Sequence, residues 1–261
     1  MDAALIEQLG DELYDALREC RAIAPLTSRY SEITIDDAYY ISQRMLNRRL
    51  ADGEKVVGKK IGVTSKVVQD MLGVHQPDFG FLTDAMTYEN GAAVPVAGQL
   101  IQPRAEAEIG FRLKSDLVGP GVTEADVLAA TECIMPCFEI VDSRIDNWQI
   151  KIQDTIADNA SCGVYVLGES EADPKDFDLP NLAITVHKNG ELLSEGKGDA
   201  VQGNPLTAVA WLANTLGRFG IPFKAGEVIL SGSLVPLEPA SPGDLFELEL
   251  HGIGRASVSF T

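Results

Sequence analysis

The sequence predicts an α+β protein: a small helical N-terminal region over residues 1–80, followed by a mixed β-sheet domain over residues 81–261. Three observations predict it. Apolar residues recur at helical spacing over residues 4–20 (Leu5, Leu9, Leu13, Leu17), and the pattern repeats over residues 35–50. Past about residue 80, short β-type runs (EAEIGFRL, CFEIVDSRI, AITVHKNG, EVILSGSLV, LFELELHG, ASVSF) follow one another between Gly, Pro or Asp turns. At 261 residues and 45% hydrophobic content, the chain can bury one substantial core with a small appendage.

Taken in order, the second helical stretch has Thr34 or Asp36 as its N-cap. Between the two helices lies the Pro/Ser/Thr segment APLTSRYSE. The glycine-punctuated stretch VVGKKIGVTSK then reads as a strand running into a loop. Two helices interrupt the strand-rich part. One covers residues 123–131, capped by Thr123 with Asp126 at the third position, and one covers 205–219 with Val209, Leu212 and Leu216 on its apolar face. There is no internal repeat and no low-complexity tract.

Acidic residues outnumber basic ones 39 to 21, a formal charge of −18 that repels phosphate backbones and anionic lipid headgroups, so neither nucleic acid nor membrane is an expected partner. The first residues are amphipathic and acidic with no cationic segment before an apolar one, and a cytoplasmic location is expected. Cys20, Cys133, Cys137 and Cys162 sit among apolar or small residues without zinc-ligand spacing, which predicts reduced core thiols.

In PRAEAEIGF, strand alternation puts Glu106 and Glu108 on one face with their carboxylates about 7 Å apart or closer. A bare pair of this kind is more often solvated than functional. Glu139, a lone carboxylate in the apolar strand MPCFEIVDSR, changes the balance, because a buried glutamate needs a partner. Three converging carboxylates without Cys or His make an all-oxygen site suited to Mg²⁺ or Mn²⁺. His75, His187 and His251 lie in unrelated segments, and no G-x-S-x-G elbow marks a hydrolase nucleophile. Of Lys59 and Lys60, one must point inward, a natural electrostatic anchor beside a metal. DTIADNASCG (residues 154–163), by itself a loop, offers Asp158, Asn159 and Ser161 as hydrogen-bonding groups, and Ser231-Gly232-Ser233 ends an apolar strand where the backbone can approach a carboxylate.

Together, VGKKIGVTSK, GVHQPDFGFLTDAM, IQPRAEAEIGF, CFEIVDSRI, IADNASCG and LSGSLVPLEP resemble the fumarylacetoacetate hydrolase superfamily, in the hydratase/decarboxylase branch of aromatic meta-cleavage degradation, across nearly the whole chain. The resemblance implies a fumarylacetoacetase C-terminal-like mixed β-roll and a metal triad of Glu106, Glu108 and Glu139. It also implies Lys60 as the motif lysine, Mg²⁺ or Mn²⁺ dependence, and a homo-oligomer, with a complex with a sister decarboxylase as a further expectation. The implied reaction is hydration of 2-hydroxypenta-2,4-dienoate to 4-hydroxy-2-oxopentanoate. Lys60 would bind the substrate's carboxylate or C2 oxygen, Asp78 or Asp158 would move protons, and Ser161 and Ser233 would orient the substrate. Two enzymatic alternatives stay open: decarboxylation of 2-oxo-3-hexenedioate, and C–C hydrolysis of an acylpyruvate, for which His75 is the only histidine near a site motif. A non-catalytic partner subunit is the third.

Overall fold

The computed structural model describes the chain from Met1 to Thr261, apart from the side chains of Val67, Met71 and Leu72. In chain order the helices are α1 (Ala3–Arg18), α2 (Leu26–Arg29), α3 (Ile35–Ala51), α4 (Lys66–Leu72), α5 (Glu124–Ala130), α6 (Ile152–Ala157) and α7 (Pro205–Gly217). The strands are β1 (Val56–Gly62), β2 (Asp78–Thr83), β3 (Thr87–Tyr88), β4 (Ala93–Val94), β5 (Pro103–Leu113), β6 (Thr131–Asp142), β7 (Cys162–Leu167), β8 (Ala183–Lys188), β9 (Glu191–Lys197), β10 (Val228–Ser233), β11 (Glu238–Pro239), β12 (Leu245–Leu250) and β13 (Gly254–Phe260).

The opening helices form where apolar spacing places them. Thr34 caps α3 through a capping box: its hydroxyl accepts from the Asp37 N–H, and the Asp37 carboxylate accepts from the Thr34 N–H and hydroxyl. Leu9 and Leu13 of α1 and Ile41 and Met45 of α3 share a small core with Ile145, Ile152 and Ile156. The remaining strands build two sheets. The larger runs β2-β1-β10-β5-β6-β7-β3 with β11 beside β5, and the smaller runs β4-β13-β12-β8-β9. They face each other across the main core, where Phe138 of β6 meets Phe246 of β12 edge to face at 6.3 Å and Phe246 meets Phe260 of β13 at 5.8 Å.

Three local features differ from the sequence expectations. β1 is a strand of the larger sheet, pairing in parallel with β10 and antiparallel with β2, so the division expected at residue 80 falls inside β2. Pairing of residue 58 with residue 228 is a long-range contact that local patterning does not carry. The expected strand and loop over residues 56–65 lead into α4, capped by the Ser65 hydroxyl, a helix that local patterning does not predict. Residues 154–163, expected as a loop, supply most of α6 and a tight turn.

Close approach of β1 to β10 depends on Gly58, where an added Cβ would lie 2.0 Å from the Val228 carbonyl oxygen. Gly58→Ala is therefore expected to lose about 1–3 kcal/mol of stability by overpacking. A urea midpoint unchanged from that of the parent would show that this strand pairing is looser than described.

Candidate active site

One face of the larger sheet collects the chemistry, and strand register explains how. Glu106 pairs with Glu139, which pairs with Tyr165; Glu108 pairs with Cys137 on one side and Ser233 on the other. Lys60 pairs with Leu230 and Gly80, and Gly62 with Asp78. Residues paired in register share a face, so the acids of β2, β5 and β6 and the Lys60 ammonium point to the same side. The intervening residues, such as Ile61, Phe79, Ala107, Ile109 and Phe138, enter the main core. Lys59 also points to that other side, pairing with Glu227 over the Phe223 ring. Both lysines are thus buried, in opposite directions.

Glu106, Glu108 and Glu139 each offer an oxygen such that all three lie within 4.8 Å of one another. Glu108 and Glu139 are wholly buried, while Glu106 is half-buried. The Gly232 N–H donates to Glu108 Oε2 at 2.8 Å. Gly232 has φ +109°, and a Cβ there would meet the Thr64 side chain at 2.5 Å, so this donor needs glycine. Among the described residues, Glu108 Oε1 and both Glu139 oxygens receive no hydrogen bond. Lys60 Nζ lies 3.0 Å from Glu139 Oε1 as an ion pair, off the line of a hydrogen bond, and donates to the Ala160 carbonyl at 2.9 Å.

Burial and the neighbouring Glu139 push the Glu106 carboxyl up to about 7. Glu108 is pushed well above the usual range by burial, Glu139 and Glu106. Burial alone would depress Lys60, but the carboxylates of Glu139, Glu106 and Asp78 outweigh it and hold the ammonium firmly charged. Orphaned carboxylate oxygens that crowd one another, with one lysine against several acids, suit a hard divalent cation. The site passes that test on its own geometry.

Asp78 sits at the start of β2, wholly buried. The Thr155 hydroxyl donates to Asp78 Oδ2 at 3.3 Å and lies 3.4 Å from the Ser161 hydroxyl, which brings Asp78, Thr155 and Ser161 into one chain. Asp78 Oδ1 has no donor among the described residues. A Cβ on Gly62 would fall 2.3 Å from that oxygen and 3.3 Å from Lys60 Nζ, so only glycine leaves room where acid and ammonium converge. Burial raises the Asp78 carboxyl against the pull of Lys60 and the Thr155 hydrogen bond.

Two expected site residues have other partners. Asp158, expected as a proton carrier, has both oxygens engaged: Oδ1 by the Arg144 guanidinium, and Oδ2 by the Arg144 N–H at 2.9 Å and the Ser143 hydroxyl at 3.3 Å. Arg144, wholly buried, also donates to the carbonyls of Asp142, Asp158 and Cys162. Burial pushes the Asp158 carboxyl up to about 6 against the arginine. The pair ties the segment after β6 to the turn after α6 and commits both Asp158 oxygens to the protein's own donors. Ser233 donates its hydroxyl to the Val235 carbonyl at 2.8 Å, closing the strand-end turn instead of facing a ligand. Sequence reasoning passed over Arg144, Thr155 and Gly62. Only Arg144 left a signal, a cation ending an apolar strand. His75 is exposed and has no acidic partner among the described residues.

Residues 57–260 match the family described as fumarylacetoacetate (FAA) hydrolase C-terminal. The chain is 64% identical over its full length to a 2-hydroxyhexa-2,4-dienoate hydratase of Comamonas testosteroni, covering 99% of that protein. It is 65% identical to a 2-hydroxypent-2,4-dienoate hydratase of Pseudomonas putida over 85% of this chain and all of that one. Among solved structures, the 4-oxalocrotonate decarboxylase of Pseudomonas putida G7, complexed with magnesium and adipate, superposes with a TM-score of 0.97 at 34% identity, covering 100% of this chain and 99% of that one.

The chain belongs to the fumarylacetoacetate hydrolase family. Its two relatives at 64% and 65% identity are hydro-lyases, and it is an enzyme of that type. The α+β class and the mixed β-roll implied by the sequence resemblance hold. A divalent metal is supported by the neighbouring complex as well as by the acids themselves. No described helix is long and apolar enough to cross a membrane.

The acids predict how metal and pH interact. The metal-free Glu106 carboxyl stands at about 7, above its ordinary 4.5, so its contribution to stability is complete below about 4.5 and is lost as pH rises through about 7. A bound cation replaces the proton and reverses this trend. The rise in melting temperature on adding Mn²⁺ to EDTA-treated protein is expected to be larger at pH about 8 than at pH about 5.5, and abolished in Glu108→Gln. A larger rise at the lower pH would contradict the carboxylate site.

Proposed function

We propose that the chain catalyses the metal-dependent hydration of 2-hydroxypenta-2,4-dienoate to 4-hydroxy-2-oxopentanoate. The observation that carries it is the trio Glu106, Glu108 and Glu139 with orphaned oxygens, set beside a charged Lys60 and a buried Asp78 on one sheet face. Relatives 64% and 65% identical are hydratases of a six-carbon and a five-carbon dienoate, which supports the substrate class.

The three glutamates would hold Mg²⁺ or Mn²⁺, which would supply Lewis acidity to the 1-carboxylate and 2-oxygen of the bound substrate. Lys60 binds that carboxylate or the C2 oxygen and stabilises the negative charge that develops as the 2-hydroxyl loses its proton. Asp78, its carboxyl raised by burial, accepts that 2-hydroxyl proton and delivers it to C5, giving the α,β-unsaturated ketone. It then takes a proton from the water whose oxygen bonds to C4, and returns it to C3, so that one water is added in all. Thr155 holds Asp78 Oδ2, which leaves Oδ1 for this exchange. The Ser161 hydroxyl, next to Thr155, orients the substrate.

Decarboxylation of 2-oxo-3-hexenedioate is the second reading, favoured by the near-complete superposition on the Pseudomonas putida G7 decarboxylase. Both reactions stabilise the same kind of enolate. The hydratase reading gains from Asp78, because an acid there repels the distal carboxylate that the six-carbon diacid carries. The deciding assay uses freshly generated 2-hydroxypenta-2,4-dienoate with and without Mg²⁺ or Mn²⁺, following dienol absorbance and product. Metal-dependent formation of 4-hydroxy-2-oxopentanoate is expected, with kcat reduced about 10²–10³-fold in Lys60→Ala, the scale of losing one oxyanion-stabilising donor. Faster CO₂ release from the six-carbon diacid than hydration of the dienoate would replace this reading with the decarboxylase.

A further inference from the structure

Lys60 owes its position to a backbone segment that would not hold its shape unaided. Asn159, Ala160 and Ser161 have φ of +52°, +50° and +51°, three successive residues in the left-handed region, where a Cβ crowds the backbone. Asparagine tolerates that region, but alanine has no side chain with which to compensate. The turn nevertheless presents the Ala160 carbonyl to Lys60 Nζ at 2.9 Å. What clamps it is the Asn159 side chain, whose Oδ1 accepts from the Phe81 N–H at 2.8 Å and whose Nδ2 donates to the Phe81 carbonyl at 3.0 Å. Phe81 lies on β2, the outer strand of the larger sheet, so its outward backbone groups have no further strand to pair with. Gly80 beside it lets the turn come close, since a Cβ there would lie 2.4 Å from the Asn159 carbonyl oxygen.

We propose that Asn159 is a positioning residue for Lys60: by zipping the left-handed turn to the edge of β2, it sets the Ala160 carbonyl that aims the ammonium. An ammonium has three N–H groups. One goes to Ala160, and Glu139 Oε1 is an ion-pair partner off the hydrogen-bond line, which leaves N–H groups for the substrate. The inference rests on the proposed binding of a 2-oxo acid by Lys60. Asn159 itself touches neither substrate nor metal.

The test is a double-substitution cycle of Asn159→Ala with Lys60→Met, reading the dissociation constant of 2-oxopentanoate, a saturated analogue that cannot be hydrated, at saturating Mn²⁺. In the parent background Asn159→Ala is expected to weaken the analogue about tenfold and to lower kcat on the dienoate by a similar factor, about 1.4 kcal/mol. Mn²⁺ affinity should change less than threefold. In the Lys60→Met background the same change should alter analogue binding less than twofold. Adding Ala160→Gly to Asn159→Ala should recover most of the loss, because glycine adopts positive φ without a clamp. An equal loss in both backgrounds, or no loss in either, overturns the proposal. If Asn159→Ala does not fold, Asn159→Asp, which keeps the acceptor for the Phe81 N–H, takes its place in the cycle under the same criteria. Failure of the parent enzyme to bind 2-oxopentanoate with Mn²⁺ would instead overturn the 2-oxo-acid reading of the site, and this role for Asn159 with it.

Discussion

Mutual repulsion among three buried carboxylates is the constraint on which the rest of the structure depends. With ligand oxygens within 4.8 Å of one another, each ionised pair costs about 3 kcal/mol or more at an effective dielectric of about 20. A small domain is stable by only about 5–15 kcal/mol, so such a cluster survives only if the surrounding fold is firm and positive charge is at hand. Both conditions are met. The acids stand on β5 and β6, two long adjacent strands in the middle of the larger sheet, where neither can move without disturbing pairing on both sides. Their backs are anchored by Ala107, Ile109, Phe138 and Ile140 in the main core.

Positive charge is distributed with equal care. Lys59, Lys60 and Arg144 are among the most deeply buried side chains, and each has a carboxylate of its own: Glu227, Glu139 and Asp158. Buried ion pairs of this kind contribute little net stability, but removing one partner leaves a strongly unfavourable charge. Their value here is positional. Lys59–Glu227 anchors the far side of β1, Arg144–Asp158 ties the segment after β6 to the turn after α6, and the two together frame the place where Lys60 must arrive. Lys60–Glu139 differs from the other two in geometry: Glu139 keeps both oxygens without hydrogen bonds among the described residues, as a metal ligand beside a cation should.

Much of this was legible in the sequence, for identifiable reasons. Period-2 alternation put Glu106 and Glu108 on one face, and an acid in the apolar run around Glu139 announced a buried partner, so the three converging acids of the candidate metal site followed from local pattern. The α3 cap at Thr34 and the helix capped by Thr123 were equally local. What escaped was set by long-range pairing. β1 joins the sheet through contacts with residues far along the chain, and α6 is too short for its periodicity to register. Asp158 illustrates the limit most clearly. As a polar residue in a small-residue segment it reads as a ligand group, and only the arrival of Arg144 from the segment after β6 assigns it a structural partner. Ser233 is similar, since its hydroxyl meets a carbonyl two residues on in a turn whose shape depends on the β10 irregularity.

The same constraint explains why a scaffold superposing almost completely at 34% identity serves a decarboxylase. On the proposed reading, the three glutamates and Lys60 handle the part common to both reactions, the charge that develops on the 2-oxygen, and that part requires the rigid sheet. What separates hydration from decarboxylation is the fate of the carbon chain beyond C3, which those residues do not reach. The discriminating groups must therefore come from the edge of the sheet and the elements packed beside it, where Asp78, Thr155 and Ser161 gather from β2, α6 and the left-handed turn. α6 and the turn are short and held by side-chain hydrogen bonds more than by strand pairing, and β2 is the edge strand. They can be altered without disturbing the carboxylate cluster, and substitution there offers a route to new chemistry on an unchanged metal site.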